Sequence, residues 1–282
     1  MIRRLAAIDI GSNASRLLIS DVIEIERELI FKEVSFIRVP LRLGESVFID
    51  RKISPQKTSC LEDTVLMFKN HIEKYKVDDY MACATAAMRE AKNNQQIVKK
   101  ILKSTSIELD IISGQEEANI VYSMNIHKNL KFNKTFIYID VGGGSTQLTL
   151  CSQNTVFASY SFPIGALRNL YNQVIKNVWS QIYSWLQANI KENKPEIAIG
   201  IGGNINTILE IANKNNGSYF LKYDKIKSIE RTFSKADLIP HAALIYLRVM
   251  KLLDIKYIYI PKLRLVDGMV FNLYNKRTLF NS

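Results

Sequence analysis

The stretch IYIDVGGGSTQLTL (Ile137–Leu150) holds an apolar run, an aspartate at its end, three glycines, a Ser-Thr pair and a second apolar run. Apolar runs on both sides of a glycine-containing turn predict strand, tight turn, strand. Glycine tolerates positive φ and lets backbone N–H groups approach a ligand closely. Consecutive exposed N–H groups form an anion-binding concavity, to which the Ser and Thr hydroxyls add donors. An ordinary hairpin turn is the competing reading, but it has no need of three glycines, which cost chain entropy and contribute no packing.

The same pattern occurs once more. AAIDIGSNASRLLIS (Ala6–Ser20) has the apolar strand, the Asp, the Gly-containing turn and the second apolar strand. A repeated supersecondary unit predicts an α/β chain built from two similar domains facing each other. Both turns read as phosphate cradles: Asp9, Gly11, Ser12 and Asn13 in the first, Asp140, Gly142, Gly143, Gly144, Ser145 and Thr146 in the second. Each Asp stands where it could hold Mg²⁺ or orient water. A third turn, GIGGN (Gly200–Asn204), ends another apolar run before a helix and adds Gly202 and Gly203 as weaker candidates.

Outward from the turns, LIFKEVSFIRVPL continues the N-terminal strands as a third one. Ser54 and Pro55 read as N-cap and first residue of a helix with Leu61, Val65, Phe68 and Ile72 on one face. DDYMACATAAMREA reads as strand into helix, NNQQIVKKILKSTS as helix and IELDIIS as strand. GQEEANIVYSMNIHKNL opens a helix with two acids in its first turn, where they complement the helix dipole. Helices are expected at NVWSQIYSWLQANI, NINTILEIANK, SKADLIPHAALIYLRVMKLL and after VDG, and strands at EIAIGIGG and KYIYIP. NKNNGS is the expected loop. The domain boundary is placed at 124/125, giving domains 1–124 and 125–282, with the last helix free to pack back on the first domain.

The chain has 282 residues, 47% hydrophobic and 23% charged, and a formal net charge of +11. A basic balance favours polyanionic partners, but no Lys/Arg run reads as a nucleic-acid arm, and no specific nucleic acid is expected. Cys60, Cys83 and Cys151 are scattered, with no CxxC, which argues against zinc and disulfides and for core filling in a reducing cytoplasm. Asp9 interrupts the first apolar run too early for a signal peptide, and no membrane partner is expected. There is no GxxxxGK[ST], no HExxH and no GxSxG. His71, His127 and His241 are isolated. Metal-assisted phosphate chemistry is favoured over an acyl-enzyme route.

Taken in order, AAIDIGSNASRLLI, LRLGE, ATAAMREAKN, ISGQEEANIVY, IDVGGGSTQL, FPIGALRNLY, IGIGGNINTILEIA, SKADLIPHAALIYL and LRLVDGMV resemble the exopolyphosphatase / guanosine pentaphosphate phosphohydrolase (Ppx/GppA) family. That family belongs to the actin-like, sugar kinase and Hsp70 superfold, and the matching segments cover nearly the whole chain. The resemblance implies two ribonuclease-H-like domains around a cleft. It implies removal of the terminal phosphate of inorganic polyphosphate by water, assisted by Mg²⁺. It implies Glu117 as general base, with Glu116 the alternative by a one-residue slip, and Asp140 and Glu117 at the metal. Arg42 and Arg89 become phosphate clamps, with Arg168 a weaker one.

The sequence departs from the family at Gln147, where an acid is usual, so metal use is expected to be weakened. Asn204 and Ala14 are milder departures. Long members carry a further helical domain, and its absence from this sequence leads to an expectation of short-chain substrates. Two alternatives remain open: a pppGpp 5′-phosphohydrolase, and a catalytically weakened sensor that binds polyphosphate or guanosine polyphosphates. Family members often form homodimers, so a homodimer is expected as an option.

Overall fold

The computed structural model describes residues 2–26, 28–124, 135–152, 155–190, 194–213 and 218–278. His127 and most of NKNNGS lie outside the described residues. The chain divides into two compact units, residues 1–124 with 265–282, and residues 125–264.

Unit 1 opens with an antiparallel meander of β1 (Ile2–Ile10), β2 (Ser15–Ile25) and β3 (Glu28–Val39). Then come α1 (Gly44–Asp50), α2 (Pro55–Lys74), β4 (Asp79–Ala84), α3 (Ala86–Glu90), α4 (Asn94–Thr105), β5 (Asp110–Ile111) and α5 (Gly114–Ser123). The sheet order is β3-β2-β1-β4-β5, with β4 parallel to β1 and β5 parallel to β4. β1 is buried from Leu5 to Ile10 on both faces, as a central strand covered on each side must be. Helix α2 starts as its sequence dictates. The Ser54 hydroxyl accepts from the Lys57 N–H at 3.3 Å, Pro55 sits at the first position, and Leu61, Val65, Phe68 and Ile72 form the buried stripe.

Unit 2 repeats the plan with β6 (Phe136–Val141), β7 (Thr146–Ser152), β8 (Thr155–Phe162), α6 (Ala166–Leu170), α7 (Val178–Asn189), β9 (Ile197–Ile201), α8 (Gly203–Ala212), β10 (Phe220–Lys222), α9 (Tyr223–Thr232), α10 (Leu238–Leu253) and β11 (Tyr257–Tyr259). The order β10-β11-β9-β6-β7-β8 reproduces the first sheet, with β10 added antiparallel at one edge. Ile137, Ile139, Leu148, Leu150 and Ala198 of the sheet pack with Ile205 and Ile208 of α8, Ile226 of α9 and Tyr246 and Met250 of α10 in one core. The last helix, α11 (Leu265–Thr278), packs on α5 and β1 in unit 1. Each sheet is a three-strand antiparallel meander extended by parallel strands, the ribonuclease-H-like arrangement.

Several elements differ from the sequence expectation. The strand at IELDIIS is only Asp110–Ile111, paired parallel to Cys83–Ala84, with the Ile112 N–H donating to the Ala84 carbonyl at 3.0 Å at its end. The last helix begins at Leu265, before VDG rather than after it. Helices α1, α6 and α9 and strand β10 were not anticipated. α1 and α6 are one or two turns long, and the charged α9 has only Ile226 and Ile229 buried. Cys83 and Cys151 fill the core, and burial pushes both thiols up to about 12. Cys60 does not: it is exposed on α2. His71 meets the Ser35 hydroxyl at 3.3 Å, and His241 the Lys235 carbonyl at 2.8 Å. Among the described residues, no helix is long and apolar enough to cross a membrane.

Candidate functional site

The two Asp-Gly turns are built alike. In unit 1 the Gly11 N–H donates to the Ala14 carbonyl at 3.1 Å, enclosing Ser12–Asn13. In unit 2 the Gly142 N–H donates to the Ser145 carbonyl at 2.9 Å, enclosing Gly143–Gly144. The flanking registers match: Asp9 lies across from Arg16, and Asp140 across from Gln147.

In unit 2 the turn rests on the start of α6. The Ala166 N–H donates to the Gly142 carbonyl at 2.9 Å, and the Leu167 and Arg168 N–H groups to the Gly143 carbonyl at 2.9 and 3.0 Å. The buried Arg168 Nε donates to the Gly144 carbonyl at 3.0 Å. No peptide bond here is cis, and in a trans peptide the N–H points opposite to the carbonyl. With the carbonyls of 142, 143 and 144 turned toward α6, the N–H groups of Gly143, Gly144 and Ser145 point the other way. Three successive N–H groups facing one side form an anion-binding nest. Gly165 permits it: a Cβ there would stand 2.5 Å from the Gly143 carbonyl carbon and oxygen.

Thr146 and Arg168 are spent on this scaffold. The Thr146 hydroxyl donates to the Ile164 carbonyl at 2.6 Å, and Arg168 is 3% exposed. The Ser145 hydroxyl accepts from Gln147 Nε2 at 3.3 Å and keeps its own proton to donate. Gly202, at φ +93°, caps α8; a Cβ there would meet Asp140 Oδ1 at 2.5 Å. The glycine thus lets the Asp140 carboxylate sit against the start of α8, where the helix dipole favours a negative charge. Gly203 is the first residue of α8, and the Asn204 amide donates to the Val141 carbonyl at 2.7 Å, tying α8 to the same turn. Below lies Tyr246, whose hydroxyl titrates well above the ordinary range because it is buried and, secondarily, because Asp140 is near.

A hard cation fits this donor set. Asp140 supplies a carboxylate. Its cross-strand neighbour Gln147 is 4% exposed, and its Oε1 is buried without a hydrogen-bond partner. A buried carbonyl oxygen left unsatisfied costs free energy, and a cation restores its coordination. Mg²⁺ asks for only one or two carboxylates from the protein and takes its other ligands from water and phosphate oxygens. No group of three or more His, Cys, Asp or Glu residues gathers among the described residues.

In unit 1 the turn is held from the same side. The Gly44 N–H donates to the Ser12 carbonyl at 2.9 Å and the Arg42 N–H to the Asn13 carbonyl at 2.8 Å. The N–H groups of Asn13 and Ala14 consequently point away from α1. The Ser12 hydroxyl accepts from the Ala87 N–H at 3.1 Å. Here Asp9 is paired: Arg16 Nη1 lies 2.6 Å from Oδ2. Burial raises the Asp9 carboxyl, against the lowering effect of the Arg16 charge. Arg42 is exposed, with Glu45 at 3.4 Å; such a surface pair contributes little and leaves the guanidinium usable.

Glu116 and Glu117 divide their tasks. The Glu116 carboxylate accepts the Ser113 N–H at 2.7 Å while the Ser113 hydroxyl accepts the Glu116 N–H at 3.1 Å, a complete capping box. The Ser113 backbone and then its hydroxyl hold the Glu116 carboxyl below its usual range. The Glu117 carboxylate is not used in the cap. It lies 3.7 Å from Arg89 Nη1, which also donates to the Ile112 carbonyl at 2.6 Å.

Sequence reading missed Arg16 and Arg38. They are cross-strand neighbours on β2 and β3 beside Asp9, and Arg38 is pushed below the usual guanidinium range by burial and then by the Arg16 charge. Two guanidinium groups against one carboxylate leave a net positive spot suited to an anion. Only the strand registers reveal this ladder.

The family model described as the Ppx/GppA phosphatase family matches residues 22–198. A bifunctional 3-dehydroquinate synthase/phosphatase of Fusobacterium nucleatum is 28% identical over 233 residues, 74% of this chain and 34% of that protein. Exopolyphosphatase 1 of Mycobacterium bovis is 26% identical over 166 residues, 58% of this chain and 47% of that protein. The chain thus spans between a third and a half of the length of these curated relatives. The crystal structure of an exopolyphosphatase from Cytophaga hutchinsonii, 18% identical, shares the fold at a TM-score of 0.82 over 97% of this chain and 98% of that one.

Proposed function

Because the chain belongs to the Ppx/GppA phosphatase family, we propose that it hydrolyses the terminal phosphoanhydride of inorganic polyphosphate. The observation that carries this reading is the nest at Gly143, Gly144 and Ser145 beside the Asp140 carboxylate. Phosphoanhydride hydrolysis needs positioning and charge neutralisation more than covalent chemistry, and the nest with its neighbouring acid provides those. In this reading the N–H groups of 143–145 and the Ser145 hydroxyl bind oxygens of the terminal phosphate. Arg89 and Arg42 balance further phosphate charge. Glu117 accepts a proton from the attacking water; the new P–O bond forms as the bridging P–O bond breaks, and the shortened chain leaves as the anion. Asp140 and Gln147 Oε1 would hold a magnesium ion, which when bound neutralises charge on the phosphate oxygens.

Phosphate release by the pure protein with Mg²⁺, on long polyphosphate, tripolyphosphate and pppGpp in parallel, tests the proposal. Release from polyphosphate that disappears in Glu117→Ala is expected. Preference for pppGpp would assign the guanosine substrate instead. Binding without release would mark a sensor.

Gln147 yields a separate prediction. Gln147→Glu places a second carboxylate across from Asp140, so without metal the two charges repel and the protein melts lower. Added Mg²⁺ should raise its melting temperature more than that of the wild type, and its affinity for Mg²⁺ should rise by about tenfold, a difference of roughly 1.4 kcal/mol. Equal Mg²⁺ responses in calorimetry and thermal melting would remove Gln147 from the metal site.

A further inference from the structure

β10 and β11 close one edge of the second sheet, and their register sets Phe220 across from Tyr259 and Lys222 across from Tyr257. The residues between them, Leu221 and Ile258, are buried. Side chains alternate along a strand, so the two pairs share the opposite, outward face. Tyr219 and Lys262 extend it. The Tyr219 ring meets Tyr259 at 6.4 Å, and Phe220 meets the same ring at 5.0 Å. The Lys222 ammonium lies 6.0 Å from the centre of the Tyr257 ring, and the Lys262 ammonium 5.7 Å from that of Tyr219. Tyr219, Phe220 and Tyr257 are 47, 45 and 50% exposed, so each is about half open to solvent.

The charge around these rings has one sign. Residues 218–223 and 255–264 hold Lys222, Lys256, Lys262 and Arg264 and no acid. The duplicated fold supplies an internal control. β5 stands in the first sheet where β11 stands in the second, and there Glu108 and Asp110 are exposed. A basic, aromatic face is therefore no requirement of the position. No Lys/Arg run marks it in the sequence, because strand pairing assembles it from two distant segments.

We propose that this outward face binds single-stranded RNA without sequence preference, with bases stacked on Tyr219, Phe220 and Tyr257 and phosphates against Lys222 and Lys262. Rings interleaved with cations suit a single strand: every base has a face to stack, and the cations follow the backbone. A bare chain of phosphates has no base and no use for the rings. A lipid surface takes up apolar groups of every kind, and the outward set contains no aliphatic side chain. Three of the four rings are tyrosines, whose phenols can bond a ribose 2′-hydroxyl, which favours RNA over DNA. None of these residues belongs to the turn at 142–145, so the inference does not rest on the proposed hydrolysis.

Fluorescence anisotropy of a labelled uridine oligomer of about 12 nucleotides, titrated with the full chain, tests this. The oligomer is expected to bind, and to bind more weakly as salt rises. Phe220→Ala and Tyr257→Ala are each expected to lower affinity by at least about fivefold, the lower limit for losing one stacked base. Lys222→Gln should flatten the salt dependence. Tyr160→Ala, equally exposed on β8, should change nothing. The deoxyuridine oligomer of the same length should bind more weakly; equal affinity overturns the assignment to RNA. No binding at about 50 mM salt and about 100 µM protein overturns the proposal, as does binding indifferent to both ring removals. Ring removals that weaken inorganic polyphosphate or phosphatidylserine vesicles as much as the oligomer also overturn it, in favour of a bare anion or a lipid surface. Should a variant misfold, the wild type decides: an oligomer carrying 5-iodouracil must crosslink on irradiation within residues 219–223 or 256–262, and crosslinks confined to other peptides overturn the proposal.

Discussion

Glu117→Gln is expected to lower phosphate release by about 10²- to 10⁴-fold, the range for losing a general base. The substitution keeps size and polarity and removes basicity together with the negative charge beside Arg89. Arg89, the cation beside it, stays anchored on the Ile112 carbonyl at 2.6 Å, so the site should keep its shape and substrate affinity should change little. The loss should fall on kcat. The neighbouring acid is the control. Glu116→Gln weakens the cap at Ser113 and should lower the melting temperature while turnover persists. Its stabilising effect depends on ionisation. The folded carboxyl titrates below its unfolded value, so the contribution is present above the ordinary carboxylate range and disappears as pH falls through the folded value. If Glu116→Gln abolished release and Glu117→Gln did not, the base would be the other residue.

Gly165→Ala should be nearly as damaging by a different route. A single methyl group would stand 2.5 Å from the Gly143 carbonyl carbon and oxygen and 2.6 Å from the Gly144 nitrogen. Backbone cannot yield as a side-chain tip does, so either α6 or the turn must move. Overpacking of this kind costs about 1–3 kcal/mol of stability. The sharper effect is on binding. Once Ala166 and Leu167 lose their carbonyl acceptors, the peptides of the turn are free to rotate and the three N–H groups no longer converge. Affinity for pyrophosphate, measured by calorimetry without catalysis, should fall by at least about tenfold. A folded Gly165→Ala protein with wild-type pyrophosphate affinity would mean that α6 does not orient the turn.

Much of this was legible in residue order. The two strand–Asp–Gly–strand units stand out because a two-residue turn between long apolar strands leaves a local signature, and the α2 cap and stripe follow from local propensity. What escaped was non-local. Arg16 and Arg38 come together only through the registers of three strands. Arg168 reads as a weaker phosphate clamp, yet it is buried with its Nε donating to the Gly144 carbonyl. Thr146 reads as a ligand donor, yet its hydroxyl is turned to Ile164. The split between Glu116 and Glu117 follows from where the helix starts, and a shift of one residue in Ser113 would exchange their roles.

The hairpins of the two units share a register but not a partner: Asp9 faces Arg16, and Asp140 faces Gln147. Duplicated halves begin with the same capacities, and one substitution at one position is enough to separate them. An arginine opposite the acid turns that half toward anions; a neutral amide leaves the other half its appetite for cations. Reversing the pair, Arg16→Gln together with Gln147→Arg, would move the cation preference from one half of the molecule to the other without altering a single strand, and the specialisation of this duplicated frame would be written in two side chains.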